Sequence, residues 1–161
     1  MASATMIAAV AAGGAIGAIL RYGVSLSFGT GLFGIAGPLA TLLVNIAGSG
    51  LMGCLAGAIA SGMVLPEAWR GFFAIGLLGA LTTFSSFALD AGQLWQKQGM
   101  VMAGAYVVGS VLLSLLAFGA GFWAVVLWRA SQIPRLRFCE AKPPPLTRGH
   151  GRLPSILGDW R

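Results

Sequence analysis

Asn45 and the hydroxyl residues spaced around it are the groups in this chain best suited to handling an ion. Thr41, Asn45 and Ser49 recur every four residues, as do Tyr106, Ser110 and Ser114, and residues four apart share one face of a helix. Each set forms a polar stripe, and two such stripes can line one path. A serine or threonine in an apolar helix has a structural use, bonding back to its own helix carbonyls or joining two helices. An asparagine amide carries two donors as well as an acceptor, which helix carbonyls one turn back rarely satisfy. Asn45 therefore reads as an interhelical or ligand-binding group. A second cluster runs from Gly79 through Thr82, Thr83, Phe84, Ser85 and Ser86 to Phe87, placing a glycine and four hydroxyl residues inside an otherwise apolar run. The run predicts an interrupted helix. Non-helical backbone at membrane depth is tolerated only when buried in protein or lining a cavity, and its freed carbonyls suit a cation. Phe84 and Phe87 project from one face if the residues after the break are helical.

The elements that must hold these residues follow from composition. Of 161 residues, 57% are hydrophobic and 9% charged, against roughly 25% charged in soluble domains. A chain so apolar belongs in lipid. Four segments reach the length of about 20 apolar residues that a spanning helix needs: 4–27, 37–62, 69–94 and 101–128. Gly29 to Gly31, Gly37-Pro38, Pro66-Glu67 and Gln96 to Gly99 punctuate them. The fold class is all-α, an integral membrane unit of four helices over 1–128 with the third helix broken. The first helix reads as retained, because no basic region precedes its apolar stretch. Gly13-xxx-Gly17 and Gly53-xxx-Gly57 have the spacing that lets helices approach closely in lipid.

Charge sits mostly at one end. Residues 1–128 hold only Arg21, Glu67, Arg70, Asp90 and Lys97, while 129–161 hold seven Lys or Arg and two acids. With its Pro143 to Pro145 run, 129–161 reads as a disordered, basic, cytosolic tail suited to membrane lipid headgroups, and nucleic acid is not an expected partner. The core itself has little orientation bias, since Arg21 and Lys97 flank one side and Arg70 and Arg129 the other. The tail tips the balance toward cytoplasmic termini. Arg21, late in the first helix, reads as a structural residue reaching the interface. No acid, His or Lys is expected at the middle of any span, Asp90 being placed near the end of the third. Cys54, Cys139 and His150 make no metal or catalytic set, and no nucleophile with its base is present, so an enzyme is not expected.

Three stretches resemble the CrcB/Fluc fluoride channel family: Gly13 to Tyr22 in the first helix, Gly37 to Ser49 in the second and Gly76 to Phe87 in the third. The resemblance covers residues 13–87 in order and extends in hydropathy to Trp128. It implies an antiparallel, dual-topology homodimer in a bacterial inner membrane, with two fluoride pores and one central structural sodium ion. On that resemblance Gly79 and Thr82 give backbone carbonyls to sodium and Asn45 donates near fluoride. Phe84 and Phe87 are the pore rings, and Thr41, Ser86, Tyr106, Ser110 and Ser114 make polar contacts along the pore. Ala80 and Ser86 stand where the family often has Gly and Thr, both small-for-small changes. The residue types agree with such a pore. Amides, hydroxyls and the positive edges of aromatic rings can replace the water of a small, strongly hydrated anion, and carbonyl oxygens suit a hard cation.

Two rival readings share the four-helix size. A small dual-topology secondary transporter would couple flux to protons, and the expected lack of a mid-membrane acid argues against it. A non-transporting assembly subunit would leave the polar stripes as packing contacts between helices.

Overall fold

The structure, a computed structural model, describes residues 4–28 and 36–132. The turn around Gly29 to Gly31 and the tail from residue 133, with Cys139 and His150, lie outside the described residues. Among the described residues four helical stretches are long and apolar enough to cross a membrane: Ala4–Phe28, Gly37–Ala60, Glu67–Gln98 and Met100–Gln132. We label α1 as Ala4–Phe28 and α2 as Ala36–Ala60. The third span divides into α3, residues 67–81, and α4, Phe84–Gln98, and the fourth is α5, Met100–Gln132. The all-helical, four-span architecture expected from the sequence is present, with its interruption inside the third span.

The connections are short, and two of them need glycine. Gly62 has φ 87°, and the paired bonds Met63 N–H to Ala58 O at 3.0 Å and Gly62 N–H to Ile59 O at 3.0 Å close α2 in a Schellman motif, whose left-handed residue is ordinarily glycine. Pro66 then starts α3 with extended backbone at φ −52° and ψ 146°. Gly99, also at φ 87°, is the single residue between α4 and α5. Helix α5 has 33 residues, or about 50 Å at 1.5 Å per residue, so it outruns a hydrocarbon core of about 30 Å. The helix continues four residues beyond the expected boundary at Trp128. Its end is tied back by Arg129, whose guanidinium donates to Ser61 O at 3.4 Å.

Packing rests on the absence of side chains. Helix α1 lies chiefly on α3, and α2 chiefly on α5. A Cβ placed on Gly13 would fall on the Phe72 carbonyl oxygen, and one on Gly17 on the Leu77 carbonyl oxygen. In the other pair, Gly53 meets the Phe118 carbonyl, Gly57 the Phe122 carbonyl and Gly121 the Gly50 carbonyl. Both GxxxG pairs of the sequence are thus sites of backbone-to-backbone approach. Residues Gly71–Leu78 form an eight-residue stretch of π-helix, a wider turn than anything the sequence pattern suggests. Large side chains such as Ile19, Leu116 and Trp123 point outward, as suits a molecule whose solvent is lipid.

Candidate functional site: the break in the third span

The third span breaks at two residues. Thr82 has φ −78° and ψ 152°, and Thr83 has φ −151° and ψ 125°, both extended. Two extended residues at membrane depth expose backbone groups that lipid cannot satisfy. The sequence supplies partners from three directions. Thr83 caps α4, its Oγ1 accepting the Ser86 N–H at 3.2 Å and lying 3.2 Å from both the Ser85 and Ser86 hydroxyls. Thr82 closes α3, with its N–H at 3.0 Å and its Oγ1 at 2.9 Å from Leu78 O. Asn45 then clamps the break from α2. Its Oδ1 accepts the Thr83 N–H at 2.8 Å, and its Nδ2 donates to the Thr83 carbonyl at 3.1 Å. One side chain therefore imitates the hydrogen-bonded pair of a β-bridge, which is the interhelical use its amide suggested. Gly48, one turn along α2, leaves the space that the Thr82 methyl fills.

Around this break the sequence-selected residues fall into two cavities and one buried cluster. A cleft of about 440 Å³ is lined by Asn45, Gly79, Thr82, Phe84, Phe87, Ser110 and Ser114, together with Ser49 and Thr83. Two residues of each polar stripe, Asn45 and Ser49 of one and Ser110 and Ser114 of the other, thus line a common cleft. A smaller cavity of about 140 Å³ brings Arg21, Thr41 and Ser86 together, again with Thr83. Arg21 is thereby placed beside the break's second cavity. Phe84 and Phe87 have ring centroids 5.4 Å apart, and Phe87 continues to Tyr106 at 5.5 Å, a ladder of three tilted rings. Phe87 is 9% exposed and Phe84 79%.

Tyr106 lines neither cavity. Its hydroxyl is buried, as are Ser110 Oγ and Asp90 Oδ2, and Asp90, Ser110 and Thr41 surround it in one polar cluster. Asp90, expected near the end of the third span, therefore belongs to the buried interior of the chain. Asp90 is only 8% exposed, because α4 starts at the break and Asp90 lies two turns into it, packed beside Gly37 of α2. Asp90 and Thr83 are the residues that sequence reasoning left without a role. The spacing Thr83-x-x-Ser86 carries the capping signal. Asp90 sits three residues beyond Phe87, one turn further along the same face of α4.

The break has consequences for ions. The C-terminal end of α3 presents carbonyls and the N-terminal end of α4 presents N–H groups, so opposite partial charges meet at one depth. Gly79 O would accept the Thr83 N–H in a continuous helix, but that donor is taken by Asn45. Among the described residues no group of three or more His, Cys, Asp or Glu could hold a metal, so a cation here would rely on oxygen atoms of the backbone and hydroxyls. That donor set fits a hard monovalent or divalent ion.

Comparison with known proteins decides the relationship. Residues 8–122 match the family described as CrcB-like protein, Camphor Resistance (CrcB). The chain belongs to the CrcB family. Among its relatives is a fluoride-specific ion channel FluC of Nitrobacter winogradskyi, 46% identical over 121 residues, covering 75% of this chain and 95% of the relative. FluC of Shewanella amazonensis is 45% identical over 106 residues, or 66% and 84% of the two chains. FluC of Caulobacter vibrioides is 43% identical over 116 residues, or 70% and 88%. The CrcB match includes the whole break and both polar stripes, and it ends before the basic tail.

Proposed function

We propose that this CrcB-family chain is a fluoride-selective channel that lets fluoride leave the cytoplasm passively, working as an antiparallel dual-topology homodimer in a bacterial inner membrane. The observation that carries the reading is the clamped break, which sets Phe84, Phe87, Asn45, Ser110 and Ser114 on one cleft. Its relatives' name, fluoride-specific ion channel, gives the ion. Fluoride entering such a cleft exchanges water for hydroxyl and amide donors and for the electropositive ring edges of the phenylalanines. Arg21 at the smaller cavity and the N-terminal end of α4 both favour an anion over a cation there. Ser86 and Thr41 extend the polar contacts on that side, with Tyr106 buried beside Thr41.

The dimer has its own physical support. Phe84 is 79% exposed on a cleft rich in hydroxyls, and an uncovered polar cleft facing hydrocarbon is unfavourable. A second copy would cover it. Sodium would be held by the Gly79 and Thr82 carbonyls of both copies, and when bound it supplies a fixed positive charge at the centre. The chain's own part is to keep those carbonyls out of helical hydrogen bonds.

The buried Asp90 favours a second reading, a proton-coupled exchanger, because an intramembrane carboxylate can cycle protons. The two separate in liposomes loaded with fluoride. A channel releases fluoride at a rate set by the fluoride gradient and the membrane potential, with a pH gradient adding nothing once the potential is clamped. Efflux that runs uphill against fluoride on an imposed pH gradient would establish the exchanger instead.

A further inference from the structure

Asn45 does more at the break than fill space, and what it does can be read from one displaced hydrogen bond. In an uninterrupted α-helix the N–H of residue 83 bonds the carbonyl of residue 79. Here the Thr83 N–H points to Asn45 Oδ1 at 2.8 Å, while the N–H one residue earlier keeps its helical partner, Thr82 to Leu78 O at 3.0 Å. The helix therefore ends one hydrogen bond short of Gly79. An unsatisfied N–H at this depth would otherwise return to the nearest carbonyl, since leaving it unmade is expensive in a water-poor setting. The Asn45 amide is the group that stops this. Its donor side holds the Thr83 carbonyl at 3.1 Å, which fixes the direction of the Thr83–Phe84 peptide as well.

We infer that Asn45 is a positioning residue for the cation site: by accepting the Thr83 N–H it keeps the Gly79 carbonyl available to a hard cation. The inference rests on the reading of a sodium ion at the break given above. It assigns to the two sides of one amide different consequences. The acceptor side frees a ligand for the cation, and the donor side orients the extended peptide and brings an N–H into the cleft. Loss of the acceptor should therefore remove the response to sodium, whereas loss of the donor alone should leave it.

Two substitutions divide the amide in this way. Asn45→Asp keeps an oxygen to accept the Thr83 N–H but removes the donor. Asn45→Leu removes both at similar size. The experiment measures thermal unfolding of the purified full-length protein in detergent across a sodium chloride titration, with choline chloride holding ionic strength constant. A ligand that binds only the folded protein raises its melting temperature with concentration. Wild type should show a sodium-dependent rise. Asn45→Asp should keep it within a factor of three in half-maximal sodium concentration, and Asn45→Leu should lose it or need at least ten times more sodium. Fluoride efflux should fall in both variants, so flux alone does not distinguish them. If the leucine variant does not yield folded protein, Asn45→Ala supplies the same comparison. A leucine or alanine variant with the full sodium response would overturn the positioning role. Loss of the response in the aspartate variant as well would overturn it too, by showing that the donor bond matters. A wild type that ignores sodium would remove the sodium site itself, and with it this inference, while leaving fluoride conduction to be judged separately.

Discussion

Phe84 and Phe87 differ in burial, and that difference allows a pore role to be told from a packing role. Phe87 is 9% exposed and contacts two rings, Phe84 at 5.4 Å and Tyr106 at 5.5 Å, whereas Phe84 is 79% exposed and, among the described residues, has its one ring contact with Phe87. With each aromatic contact contributing about 0.5–1.5 kcal/mol, Phe87→Ile should destabilise the protomer by about 1–3 kcal/mol and Phe84→Ile by about half that. If both rings present electropositive edges to fluoride, each substitution should also lower fluoride efflux by at least about tenfold, equivalent to about 1.4 kcal/mol on the permeation barrier. The assay pairs initial efflux rates from liposomes with unfolding of the same preparations, rates being normalised to folded protein. The pore account requires that the two rate losses be similar although the stability losses are unequal. Rates that fall for Phe87→Ile alone, in step with its stability, would show that the rings are packing residues.

Three further outcomes follow from the packing and charge of the chain. Tyr106→Phe keeps the ring and removes a hydroxyl set among Asp90, Ser110 and Thr41, so stability should fall by about 1 kcal/mol while fluoride efflux falls several-fold; unfolding and efflux measured together check both. Gly53→Ala puts a Cβ on the Phe118 carbonyl oxygen and should destabilise by about 1–3 kcal/mol, whereas Gly104→Ala, which meets nothing within 4 Å, should be neutral or stabilising in the same melt. Reporter fusions at Arg129 with the tail deleted, and at Arg161 with it present, should both show mixed orientations, the second skewed toward a cytoplasmic C-terminus. A full-length chain found in one orientation only would exclude an antiparallel homodimer of this chain alone.

The sequence made the spans and the place of the break legible because both depend on local composition. Four apolar runs of sufficient length announced four helices, and hydroxyls beside Gly79 announced the interruption. That each stripe occupies one helix face was also legible, since i, i+4 spacing fixes a face wherever the helix goes. What escaped depends on tertiary neighbours. Asp90 looks peripheral when counted from the end of an apolar segment, but α4 restarts at Thr83 and carries Asp90 inward against α2. The π-helical stretch at Gly71–Leu78 leaves no mark in composition, because its residues are ordinary helix formers and glycines. Asn45 was recognisable as an interhelical or ligand group, yet its partner, the Thr83 backbone, could not be named until the break had a geometry. Arg21 at the smaller cavity is of the same kind, since snorkelling to an interface and lining a cavity look alike in one dimension.

The measurement that bears most directly on the whole account is ion efflux from liposomes containing only the purified chain, with the membrane potential short-circuited by a potassium ionophore and an ion-selective electrode outside. The account predicts rapid release of fluoride on adding the ionophore and no chloride release above that of protein-free vesicles. Chloride leaving as fast as fluoride would contradict selectivity, and vesicles that release neither ion would show that the clamped break and its polar stripes are packing rather than a path.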